Sequence, residues 1–215
     1  MIGLLLPTGL ATCWAIASGG SILRLGRVRL EWGWLLVACF GVEFGLYNPP
    51  INAEAWAQTV GPWLWVATKI AMLAVAAANL RGGRSSRWSW RIMLAGLVLN
   101  TVAIVANGGH MPQSLSAGAA IWGPGYAGPD ASHLQNIAPM DAATRFPWLC
   151  DILAEPAWLP RPNVLSVGDI LLSFGMAAWV FSAIRDRAAP EPQTRRGSGA
   201  QPRRRFQRGI PSRVS

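Results

Sequence analysis

The chain has 215 residues, of which 52% are hydrophobic and only 13% charged, with a net charge of +9. A soluble domain carries about 25% charged residues, so this composition excludes an ordinary water-soluble globule and points to lipid. The 12 Trp agree, because indole rings favour the membrane–water interface.

Taken in order, a first apolar segment runs from Ile2 to Ile22. Its charges follow it and no basic n-region precedes it, so it reads as a retained span and not as a cleaved signal. Arg24, Arg27 and Arg29 come next, then a second span from Trp32 to Tyr47, stopped by Asn48-Pro49-Pro50. A third span, Gly61 to Leu80, opens with Pro62 and the interfacial pair Trp63 and Trp65. Arg81, Arg84, Arg87 and Arg91 precede a fourth, Ile92 to Asn107. Residues Gly108 to Asn163 form a long Pro- and Gly-rich connection, too polar to span and too rich in Pro for long helices. Within it, Pro147 to Pro160 mixes Trp148, Leu149, Trp158 and Leu159 with Asp151 and Glu155, and is expected to lie along the membrane surface. The fifth span is Val164 to Ile184, and the Arg-rich tail from Arg185 onward is expected to be disordered.

Counting charges sets the orientation. The loops after spans one and three and the tail hold 16 of the 19 basic residues; the other loops hold Arg145 and Arg161 among acids. By the positive-inside rule the fold is an all-α bundle of five transmembrane helices, N-terminus out and C-terminus in. Anionic lipid is the expected partner of the Arg-rich loops and tail. Nucleic acid is not expected, since only Phe206 is interleaved with the tail arginines as a stacking aromatic.

Helices in lipid meet through small residues, so the small-residue stripes predict the packing seams. They are Gly41 and Gly45 on span two, Ala67, Ala71, Ala74 and Ala78 on span three, Gly96, Asn100, Ala103 and Asn107 on span four, and Gly168 and Gly175 on span five. The doublets Gly19-Gly20, Gly82-Gly83 and Gly108-Gly109 each follow a span and read as helix caps. On spans two and three the charged face lies opposite the small-residue face. If both faces need protein, these spans are central, or a partner subunit covers one side.

Three ionisable residues fall inside spans: Glu43, Lys69 and Asp169. Charge in hydrocarbon is expensive, which makes each a functional candidate. At ~1.5 Å per residue, Glu43, Asp169 and Lys69 lie about 6, 7 and 12 Å below the outer helix ends. With Asn100, Asn107, His110, Met111 and Pro112 they define an outward-facing polar pocket under the long loop. The competing structural reading pairs Glu43 with Lys69 and makes Asp169, in Ser166-Val167-Gly168-Asp169, a helix cap. His110 and His133, with Asp130, Asp141 and Asp151 nearby in sequence, show no ligand spacing for a metal. No nucleophile has a visible base, and no cofactor fingerprint is present, so no catalytic residue, metal or cofactor is assigned.

The glycine pair and basic loop after span one, Asn100 with Asn107-Gly108-Gly109-His110-Met111-Pro112, and Ser166-Val167-Gly168-Asp169 resemble an uncharacterised family of small bacterial multi-span membrane proteins. That family carries N-G-G-x-M-P and S-x-G-D signatures. The resemblance covers Met1 to Ile184, supplies no activity, and implies a bacterial cytoplasmic (inner) membrane and that Asn107, Met111, Pro112 and Asp169 belong to one site. Three functions stay open: an accessory or assembly subunit of a membrane complex, a small-solute or ion carrier, and an envelope- or lipid-acting enzyme.

Overall fold

The computed structural model of the protein describes residues 2–81, 84–129 and 136–186. Its helices are α1 (Ile2–Ala17), α2 (Gly33–Leu46), α3 (Ala55–Ala78), α4 (Arg84–Ala106), α5 (Leu115–Trp122) and α6 (Val167–Arg185). Three are long and apolar enough to cross a membrane: Ala55–Arg81, which is α3 with a 3-10 extension, Ser86–Ala106 within α4, and Val167–Arg185. The other two expected spans, α1 and α2, are shorter, at 16 and 14 residues. A straight helix needs ~20 to cross the hydrocarbon.

The boundaries differ from the expected ones for local reasons. α1 stops at Ala17 because Gly19 turns left-handed, at φ +84°, and a 3-10 turn over Ile22–Arg27 follows. The glycine-cap reading also fits Gly108 and Gly109, at φ +71° and +87°, while Gly82-Gly83 lies outside the described residues. α3 starts at Ala55 and keeps Pro62 inside it. Packing against neighbours makes an internal proline tolerable in such helices; a Cβ on Gly109 would sit 2.7 Å from that of Pro62. α4 reaches back to Arg84, a polar first stretch that has no apolar signal to read.

The connection beyond α4 corrects the all-α expectation, because it carries two small sheets. Strand β1 (Met111–Gln113) pairs in parallel with β2 (Ile137–Pro139), and β3 (Leu153–Ala154) pairs antiparallel with β4 (Val164–Leu165). Gln113 also bridges to Asp151. Backbone that cannot be helical still needs hydrogen-bond partners once buried, and short ladders supply them. Between these strands α5 starts at the N-cap Ser114, whose hydroxyl accepts from the Ala117 amide at 3.2 Å.

The helices form a row and not a closed bundle. α4 packs between α3 and α6, α1 packs on α6, and α2 packs on α3. Of the two expected alternatives, the one that puts both α2 and α3 at the centre therefore fails for α2, which stands at an edge. At one end, Trp65 and Val66 of α3 and Ala103 and Ile104 of α4 enclose Met111, Leu149 and Cys150 from the loop. Towards the other end, Ala76, Trp90 and Met93 pack with Leu172 and Trp179. There Arg24 donates to the Ile184 carbonyl at 3.0 Å, and Asn79 exchanges hydrogen bonds of 3.1 and 3.0 Å with the Glu31 backbone.

The α4–α6 seam uses the predicted small residues. A Cβ on Gly96 would lie 2.5 Å from the Gly168 carbonyl oxygen, and one on Gly175 2.5 Å from Met93 Cγ. The seams expected of α2 and α3 are different. A Cβ on Gly41 would meet nothing within 4 Å. Ala67 and Ala74 are exposed, and the buried residues of α3 are instead Ala57, Gly61, Pro62, Trp65, Val66, Thr68, Met72, Val75 and Ala76.

Candidate functional site

The first polar centre lies where α6 begins. Ser166 is the N-cap, and its hydroxyl accepts from the Asp169 amide at 3.0 Å while the Asp169 carboxylate accepts from the Ser166 amide at 3.0 Å. This reciprocal box satisfies two amides that the helix start would otherwise leave free. Asn100 of α4 closes the ring: its amide donates to Asp169 Oδ1 at 2.8 Å, and its Oδ1 accepts from the Ser166 hydroxyl at 2.8 Å. Gly168 is the residue that lets Asn100 in, because a Cβ there would collide with the Asn100 side chain. Asn100 and Ser166 are buried, at 8% and 0% exposure.

A second centre lies between α2 and α3. Lys69 Nζ sits 2.7 Å from Glu43 Oε1, with the two side chains only 15% and 18% exposed. The Thr68 hydroxyl lies 2.7 Å from the same oxygen, and the ammonium also stands 5.1 Å over the Trp65 ring. In a low-dielectric setting this attraction is strong, but so is the desolvation it must offset.

The third centre is Asn107, just past the end of α4. Its amide donates to the Arg145 carbonyl at 2.9 Å and its Oδ1 accepts from the Arg145 amide at 2.8 Å, clamping a loop residue 38 positions away. His110 is half-buried; burial draws its pKa below the usual imidazole value, opposed by a hydrogen bond to the Gly108 backbone. Met111 is 5% exposed in the hydrophobic cluster, and the Pro112 carbonyl accepts from the Asp151 amide at 3.0 Å. The eight sequence-derived residues thus divide among different interfaces. Asn100 meets Asp169 and Glu43 meets Lys69, while Asn107, His110, Met111 and Pro112 belong to the loop.

Other polar residues of the same end had no sequence signal. Gln113 of β1 and Asp151, joined by an isolated backbone bridge, are 1% and 7% exposed. Gln113 Oε1 accepts from Tyr126 at 2.8 Å, but its Nε2 and Asp151 Oδ1 have no hydrogen-bond partner. Burial pushes the Asp151 carboxyl up to about 8, and the nearby Asp169 charge adds to the shift. Read as a sequence, Asp151 is one more acid in an outer loop. Only the fold puts it in the interior. Among the described residues no three His, Cys, Asp or Glu side chains gather as a metal site. His133 and Asp130 lie outside the described residues. Cys13, Cys39 and Cys150 are free thiols, and burial pushes that of Cys150 up to about 11, with the Asp151 charge adding.

Fold and site together define a mostly helical protein with three helices of membrane-spanning length, capped at one end by a small strand-bearing loop layer. The chain belongs to DUF5317, a family of unknown function, whose match covers residues 27–181. The matched region contains Asn107–Pro112 and Ser166–Asp169, but it starts beyond α1, where the resemblance had been expected to begin at Met1. No curated protein and no solved structure matches the chain.

Proposed function

We propose that this is an integral membrane protein, crossing a bacterial cytoplasmic membrane five times with its N-terminus outside, that works as an accessory or assembly subunit of a larger membrane complex. The observation that carries this reading is the uncovered edge of the helix row. α2 packs on α3 through its charged face, which leaves the Gly41 face of α2 and Ala67 and Ala74 of α3 open. In lipid such small-residue faces are where another helix approaches closely. The five-pass arrangement requires the two shorter helices to cross with locally thinned bilayer or flanking residues that reach the interface.

The test is purification of the tagged chain in mild detergent at native expression, with mass and identity of whatever co-elutes. A partner at fixed stoichiometry, lost on Gly41→Leu together with Ala67→Leu, is the expected result. A monomer unaffected by those changes would end the subunit reading. It would favour the second one, a small-solute or ion carrier, which draws its support from the unpaired buried atoms of Gln113 and Asp151 beside Asp169. The carrier reading expects a flux abolished by Asp169→Asn.

A further inference from the structure

We propose that the turn Arg145-Phe146-Pro147-Trp148 is a lipid contact, seated by Asn107 in the interfacial layer of the membrane leaflet at which α4 ends. The inference rests on the membrane reading above and goes beyond it by assigning a partner surface. Its first support is depth. Leu149, next to this turn and 4% exposed, packs against Ala103 and Ile104 in the last turns of α4. Those turns close the membrane-length stretch Ser86–Ala106. The turn therefore stands beside the end of a span and not out in the aqueous phase.

The second support is chemistry. With Leu149 turned inward, Phe146 and Trp148 are left 45% and 62% exposed, packed edge to face with ring centroids 6.1 Å apart. On α4, in the turns just before its end, Val102 and Val105 are also exposed, at 40% and 45%. Arg145, directly before the rings, is exposed. Apolar rings flanked by a cation match the layer where acyl chains meet phosphate, with indole at the headgroup level and guanidinium reaching the phosphate.

The third support is that the turn is held in place. Phe146 takes a left-handed backbone, φ +51°, which a bulky side chain rarely adopts, and the two Asn107 hydrogen bonds grip the Arg145 peptide just before it. Asn107 is thus a positioning residue whose work is to aim the rings outward from the end of α4.

The experiment uses the full chain in nanodiscs of phosphatidylcholine and phosphatidylglycerol. An environment-sensitive nitrobenzoxadiazole label is placed on Trp148→Cys in a Cys13→Ser background, the remaining cysteines being buried. Phe146→Cys serves in its place should the first variant not fold, and Val98→Cys, on an exposed mid-span position of α4, is the reference. The expected result is loss of emission at position 148 with a shallow spin-labelled lipid, little loss with aqueous iodide, and loss at position 98 with a deep spin-labelled lipid. Adding Asn107→Ala is expected to shift position 148 towards iodide. Strong iodide quenching at 148 in the parent, or protection from both quenchers, would overturn the proposal in favour of water or a protein partner while position 98 still reports lipid. Escape of position 98 from every lipid quencher would sink the membrane reading itself.

Discussion

The α4–α6 and α2–α3 interfaces solve one problem in opposite ways. Between α4 and α6, glycines bring the backbones together until Asn100 can fill the remaining space and complete a ring of hydrogen bonds with Ser166 and Asp169. Between α2 and α3 the contact joins Leu46 to Ala57, Tyr47 to Trp65 and Glu43 to Lys69, while Gly41, Ala67 and Ala74 face away. Small residues thus mark a seam inside the chain in the first case and an open surface in the second. Where hydrophobic drive between helices is weak, packing and polar contacts decide which faces meet.

That contrast can be broken from either side. The largest effect is expected at the ion pair: Lys69→Met strands the Glu43 carboxylate in a poorly solvated place and should destabilise by about 3–5 kcal/mol. Adding Glu43→Gln should recover most of the loss, as read by denaturant unfolding in detergent. Equal instability of single and double variants would show that the pair is not what holds α2.

Next comes Asp151, on the loop side of the glycine-packed seam. Its folded-state pKa is pushed up to about 8, whereas an unfolded aspartate titrates near 3.9. The folded state therefore binds more protons across that window, and stability falls as pH rises through it. Asp151→Asn should match the parent near pH 4 and exceed it by a few kcal/mol at pH 9, each pKa unit being worth ~1.4 kcal/mol. A constant gap between the two pH–stability curves would place Asp151 in water.

Removing the Asn100 side chain leaves Asp169 and the Ser166 hydroxyl short of a partner, a loss of about 1–3 kcal/mol. Asn100→Ala should lower the unfolding midpoint, and Asn100→Asp should lower it further by setting two carboxylates face to face. The smallest effect is expected at the open edge. Gly41→Leu meets empty space, so the isolated chain should unfold within about 0.5 kcal/mol of the parent. Substitution at Gly96, by contrast, should prevent proper α4–α6 packing.

The residue pattern carries some of this in plain view. Ser166 and Asp169, three residues apart ahead of an apolar run, spell a capping box, and the structure has it. Glu43 and Lys69 were legible as buried charges needing company, and the pairing alternative is the arrangement found. The strands were not legible, because two- and three-residue ladders show no alternation and join positions such as Met111 and Ile137 that are far apart in the chain. Gln113 and Asp151 look like ordinary loop residues for the same reason.

By itself, then, the sequence determined the lipid-compatible composition, the existence of five apolar helices and the positions of several of their ends. Those properties follow from local hydrophobicity, glycine and proline conformation and helix capping, all of which act over a few neighbouring residues. Tertiary structure alone decided that α4 and not α2 is central, which small-residue faces are closed, and that Asp151 and Leu149 of the loop turn inward. Those outcomes depend on which surfaces fit one another at a distance along the chain, and shape complementarity of that kind leaves no periodic trace in the residues that share it.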